Sequence, residues 1–240
     1  MKINSATIQN WILPVAALVA WEIFGRAGML PRYLSFPSAI LAALWELAVS
    51  GELFVALAAS LYRVSTGFVL GTVAGVIVGL GAGIVPGIRH FFDPLVSFLY
   101  SIPKIAIIAF SGFFPVFIAS RHAVLSVNKL LVWTAQNMGT PQRKIFFRVI
   151  IPAAAPQLFS GVRIGLAHAF VVLFAAELIG SKVGLGTIIS SGEEWVRFDL
   201  MFAGIVCFAV LGFVSDRILL AVRAHVLKGQ MIGTEEQVVR

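Results

Sequence analysis

The chain has 240 residues, 59% of them hydrophobic and 12% charged, with a formal net charge of +7. Soluble domains keep roughly a quarter of their residues charged, so this composition, with a mean hydropathy of +0.96, excludes a water-soluble globule and indicates an integral membrane protein. The bilayer core offers backbone groups no water, so each must be satisfied within its own segment, and helices are selected over open sheets.

The first charge-poor run, Ile3 to Trp21, lies between Lys2 and Glu22. No small-residue cleavage site follows it cleanly and the chain stays apolar, so an uncleaved first span is expected and not a signal peptide. Val64 to Ile88 carries no charge and is long enough to cross about 30 Å of hydrocarbon. Within it Gly67, Gly71, Gly75, Gly79 and Gly83 recur every four residues, a slowly drifting stripe along which another helix can approach closely. Two readings suit the stripe: packing within the subunit, and a surface for sliding between inward- and outward-open states. Pro94 to Ser120 is interrupted by Pro103 and Lys104, and it is too short for two crossings, which need about 40 residues. A re-entrant hairpin bending near Pro103 to Phe110, or the loss of residues that would complete two spans, is expected there.

The most informative stretch runs from Trp133 to Gly165, WTAQNMGTPQRKIFFRVIIPAAAPQLFSGVRIG. Gly139 and Pro141 break one short helix, and Gln142 to Ile151 is expected to wind a second, with its aromatics on one side and Arg143, Lys144 and Arg148 on the other. Pro152 and Pro156 cannot donate interior backbone bonds, and they are expected to stop that helix and begin the next. A basic helix-turn-helix between membrane spans needs a partner.

Phe159 to Gly180 and Leu200 to about Leu220 read as further spans, the second carrying Asp216 and Arg217 near one end. Arg163, His168 and Glu177 share the first of these, and ionisable groups at membrane depth point to function by default. Arg163 is close enough to the helix end to snorkel. His168 has no ligand neighbours in metal spacing and reads as a packing residue. Glu177 precedes a glycine-rich turn, where it suits either a loop-fixing hydrogen bond or a place lining the pathway.

Orientation follows from the cations. If the N-terminus, the Arg89 loop, the basic segment and the C-terminus share one side, that side holds Lys2, Arg89, Arg121, Lys129, Arg143, Lys144, Arg148, Arg217, Arg223, Lys228 and Arg240. The other holds Arg26, Arg32, Arg63, Lys182 and Arg197, which makes the basic helix-turn-helix cytoplasmic. Cations split among short loops do not form a nucleic-acid patch. The sequence has no phosphate-binding G-x-x-x-x-G-K-[ST] loop, nucleophile motif or metal motif, and the single Cys207 makes no intrachain disulfide. His168 and Glu177, nine residues apart on one helix, stand about 13 Å from each other, too far for direct proton exchange in an intramembrane enzyme.

From Gly139 onward, G-x12-I-P-A-A-x-P-x5-G-x-R-I-G-L-A resembles the cytoplasmic EAA-type loop of the permease subunits of bacterial ABC importers. SLYRVSTGF at Ser60 to Phe68, SIPK at Ser101 to Lys104, AAEL-I-G followed by GLG at Ala175 to Gly186, and RFDLMFAGI at Arg197 to Ile205 are similar to the nitrate/sulfonate/taurine-type members of the binding-protein-dependent inner-membrane component family. Two departures stand out. Trp133, Thr134 and Ala135 occupy the place of the family's Glu-Ala-Ala, and roughly twenty residues, about one span, are missing after Lys104 relative to the family's longer form.

The resemblance implies an all-α, type I permease-like bundle of about five to six spans with a cytoplasmic coupling helix. Its regions would be an N-terminal span and periplasmic connection (1–58), a core domain (59–228) with the coupling loop at about 133–156, and a cytoplasmic tail (229–240). It implies multi-pass residence in the bacterial inner membrane, with lipid around it, a second permease copy, an ABC ATPase subunit and a periplasmic substrate-binding protein as partners, no cofactor and no catalysis by the chain itself. The cargo would be a small anion such as a sulfonate, taurine or nitrate. Ala135, Gly139, Arg143, Lys144, Arg148 and Pro152 would form the ATPase-coupling loop, with Glu177 and Arg163 as pathway or loop-fixing residues. The alternative is a channel-like or scaffolding membrane protein without ATPase coupling.

Overall fold

The computed structural model describes residues 5–84 and 104–228. Among them the regular elements are all helices: α1 (Ser5–Arg26), α2 (Pro37–Val49), α3 (Glu52–Ile84), α4 (Lys104–Leu125), α5 (Lys129–Asn137), α6 (Gln142–Ile145), a π-turn (Phe146–Ile150), α7 (Ile151–Gly180), α8 (Leu185–Glu194) and α9 (Phe198–Val226). Three continuous helices among the described residues are long and apolar enough to cross a membrane: Glu52–Ile84, Gln142–Gly180 and Phe198–Val226. α1 and α4, at 22 residues each, measure about 33 Å.

The described residues form two compact units, one of residues 5–61 and 175–210, the other of 62–84, 104–174 and 211–228. In the first, α2 starts at Pro37, whose fixed φ and missing N–H suit a first helical turn. The Ser38 N–H has no partner within its own helix, and it donates to Glu22 Oε2 of α1 at 2.9 Å. Glu22 also accepts from Arg26 Nε at 2.5 Å. α8 packs on the first half of α9 through small residues: a Cβ on Gly204 would stand 2.6 Å from Ile189 Cγ1, and one on Gly192 would stand 2.5 Å from the Met201 nitrogen.

In the second unit α4 lies between α3 and α7. On one side α3 presents Gly75, Gly79 and Gly83 to Phe113, Val116, Phe117, Ser120 and Val124. On the other, Gly161 of α7 meets Ala119 and Gly165 meets Gly112 and Val116. Glycine at these positions lets the backbones close to a separation that a methyl group would prevent. Gly71, Gly75 and Gly79 are buried, Gly67 and Gly83 half-buried.

Three sequence expectations change. α3 begins at Glu52, twelve residues before the expected Val64, so Arg63 lies inside the helix and not beyond its end. The bend expected between Pro103 and Phe110 gives way to helix from Lys104 onward; the stretch before it lies outside the described residues. Pro152 and Pro156 do not end a helix, because α6, the π-turn and α7 run on continuously. Proline removes one donor and crowds the carbonyl four residues back. The π-turn answers this locally: the Ile151 N–H bonds the Phe146 carbonyl five residues back, directly before Pro152.

Candidate functional site

The basic helix-turn-helix is built around Gly139. Asn128 caps α5, its side-chain oxygen accepting the Leu130 N–H at 2.9 Å. At the other end the Gly139 N–H donates to the Gln136 carbonyl at 2.9 Å and the Thr140 N–H to the Ala135 carbonyl at 3.1 Å. That pair of bonds is a Schellman closure, which needs a left-handed residue between helix and loop, and Gly139 supplies it at φ +72 with open space around its α-carbon.

Pro141 then leads into α6, packed against α5. Arg143, Lys144 and Arg148 are all exposed, while Ile145 is fully buried and anchors the turn. The expected split of aromatics from cations does not occur, since Phe147 is as exposed as the cations and only Phe146 is half-covered, stacked edge-on against it at 5.0 Å. No residue of α5 is buried. With Leu130, Leu131, Trp133 and Met138 also exposed, this element presents apolar and cationic surface together. Ala135 and Pro152 are half-buried beneath it.

In the first unit, Glu177 is 1% exposed. Ser60 Oγ stands 2.8 Å from both of its carboxylate oxygens, and Oε2 accepts the Gly186 N–H at 3.0 Å. Ser60 Oγ in turn accepts the Leu185 N–H at 3.0 Å. The first N–H groups of α8 thus find acceptors on α3 and α7, and Gly186 sits against the Glu177 Cβ, where no side chain fits. A buried carboxylate is tolerated only with such donors. Beside this latch a recess of about 490 Å³ is lined by Ser50, Gly51, Glu52, Lys182, Thr187 and Ile188, among others.

Arg163 does not simply snorkel. It holds Asp216 of α9 in a two-pronged pair, Nε to Oδ1 at 2.6 Å and a terminal nitrogen to Oδ2 at 2.9 Å, the geometry that a guanidinium offers a carboxylate. His168, expected to be packed, is exposed on α7. Among the described residues no group of three His, Cys, Asp or Glu side chains gathers to hold a metal.

The sequence reading missed Ser60, whose partner lies 117 positions away with no local signal. It also missed Gly161 and Gly165, although a small residue recurring after four positions was the available cue. Membrane-length helices joined by an exposed cationic hairpin make up a helical membrane protein. The chain belongs to the binding-protein-dependent transport system inner membrane component family, whose profile matches residues 33–228.

Among curated relatives, a putative aliphatic sulfonates transport permease protein SsuC of Bacillus subtilis (strain 168) is 31% identical, covering 92% of this chain and 87% of that one. The protein of the same description from Escherichia coli (strain K12) is 30% identical over 87% of each. The taurine transport system permease protein TauC of Escherichia coli (strain K12) is 28% identical over 89% and 86%. In the Bacillus subtilis comparison 92% of this chain, about 221 residues, occupies 240 aligned positions, so about 19 positions have no residue here.

Proposed function

We propose that this chain is the membrane-spanning subunit of an ATP-driven importer, that two copies form the pathway for a small anion of the sulfonate, taurine or nitrate class, and that a periplasmic binding protein delivers the cargo. A separate ATPase docks on the hairpin around Gly139. Trp133, Met138 and Phe147 give that contact apolar area, and Arg143, Lys144 and Arg148 give it charge.

The observation that carries the reading is the continuity of the 39-residue helix from Gln142 to Gly180. Because α6 is the first turn of a helix that goes on through the membrane, displacement of the docked hairpin tilts the span directly, as in a rigid-body transition. Family membership and the printed descriptions of the relatives support the substrate class. Lipid surrounds the exposed apolar faces, and the family description supports an inner-membrane location.

Gly139 provides the test. At φ +72, valine costs about 1–3 kcal/mol where asparagine costs little. In proteoliposomes holding the permease with its ATPase, Gly139→Val is expected to lose ATPase stimulation by the loaded binding protein and Gly139→Asn to keep most of it. Stimulation undiminished by valine rules out the hairpin as the transmission element.

A further inference from the structure

The turn between α8 and α9 repeats the closure seen at Gly139 with a different residue. The Val196 N–H donates to the Glu193 carbonyl at 3.1 Å and the Arg197 N–H to the Gly192 carbonyl at 2.8 Å, so position 196 takes the left-handed place of a Schellman motif. Gly28, Gly51 and Gly139 fill the left-handed positions that follow α1, α2 and α5. Val196, at φ +55, is the one described residue other than glycine with positive φ, and a β-branched side chain is strained there.

Its side chain gains nothing from the fold in return. Val196 is 70% exposed and Trp195, beside it, 77%, with Glu193 and Glu194 exposed next to them. Yet the tip is held firmly. Arg197 donates to both carboxylate oxygens of Glu46 at 3.0 and 2.8 Å and to Asp199 at 2.8 Å, and Gly192 lies flat against Met201. Strain that persists because its surroundings over-determine it marks a place where function holds the residue.

We infer that Trp195 and Val196 form a rigid prong that docks the periplasmic substrate-binding protein, fitting an apolar notch rimmed by basic residues opposite Glu193 and Glu194. Arg197 lies on the side opposite the basic hairpin in the charge assignment, the side from which cargo arrives. The backbone that carries Trp195 is already held, so little main-chain freedom is lost on binding, and tryptophan is a residue type that dominates interface energies. The neighbouring carboxylates favour a basic protein surface over anionic lipid headgroups. This inference rests on the importer reading.

The test uses the permease–ATPase complex in proteoliposomes and the purified binding protein encoded with it, titrated against ATPase rate. Trp195→Ala is expected to raise the concentration giving half-maximal stimulation about tenfold. Val196→Gly is expected to raise that concentration several-fold while raising the unfolding temperature, a divergence that a merely structural role would not produce. An unchanged half-stimulating concentration in both variants overturns the prong while leaving the importer reading intact. So does quenching by brominated acyl chains, with and without the binding protein, of the fluorescence that Trp195→Phe removes, which identifies a bilayer anchor. Absence of stimulation in the unsubstituted complex removes the importer reading, and this inference falls with it.

Discussion

Gly79→Ala tests the packing of α3 on α4 most directly. A Cβ there would lie 2.6 Å from the Phe117 carbonyl oxygen and 2.6 Å from the Ser120 Cβ, against the 3.4 Å at which ordinary contact begins. The helices must separate by about 0.8 Å, and overpacking of this kind costs about 1–3 kcal/mol. Alanine returns up to about 1 kcal/mol of helix propensity, so a net loss of about 1–2 kcal/mol is expected. Gly180→Ala supplies the reference, since nothing lies within 4 Å of its added methyl and only the propensity gain remains. Leu70→Ala, at an exposed position off the stripe, controls for truncation on the same helix. Thermal unfolding of the detergent-purified protein should rank Gly180→Ala above the parent and Gly79→Ala below it, with Gly75→Leu lower still. Equal melting of Gly79→Ala and Gly180→Ala would remove the close-approach argument.

Glu177→Ala leaves the Gly186 N–H without its buried acceptor, a loss of about 1–3 kcal/mol. Hydrogen exchange should quicken at the Leu185 and Gly186 amides, and unchanged protection there would show that the latch does not hold α8. The Glu46 carboxyl is held below its ordinary value of 4.5, first by the hydrogen bonds from Arg197 and then by that cation's charge. Because the folded-state value is the depressed one, this stabilisation is complete above pH 4.5 and declines as pH falls through the lower folded value. Melting curves between pH 7 and pH 3 should flatten in Glu46→Gln and at high salt. Asp216→Ala, which strips Arg163 of its partner, should destabilise the protein more than the joint replacement Arg163→Met with Asp216→Leu, as a double-mutant cycle would register.

Much of this architecture is legible in the chain because it depends on local chemistry. Gly139 and Pro141 mark the hairpin turn, charge-poor runs mark the spans, and the four-residue recurrence from Gly67 to Gly83 marks a face for close approach. What escapes the sequence depends on pairing across distance or on backbone register. Nothing near Ser60 announces Glu177, and nothing near Glu46 announces Arg197, because each partner arrives only through the fold. The prolines at 152 and 156 read as breaks when each missing donor is counted alone, but the helix runs on through both, with a π-turn directly before Pro152. Arg163 looks like a snorkelling cation until α9 brings Asp216 alongside.

That π-turn also fixes an azimuth. A π-turn accommodates one residue more than an α-turn, and in an α-helix one residue corresponds to about 100° of rotation. Phe146 to Ile150 therefore dials the direction in which Arg143 and Lys144 point relative to Gly161 and Gly165 further along the same rod. Delete a single residue here, and the cations swing about a quarter turn away while the helix-packing glycines stay where they are. The chain can thus retune the bearing of its cationic face by one-residue changes in length, with every side chain on that face unaltered.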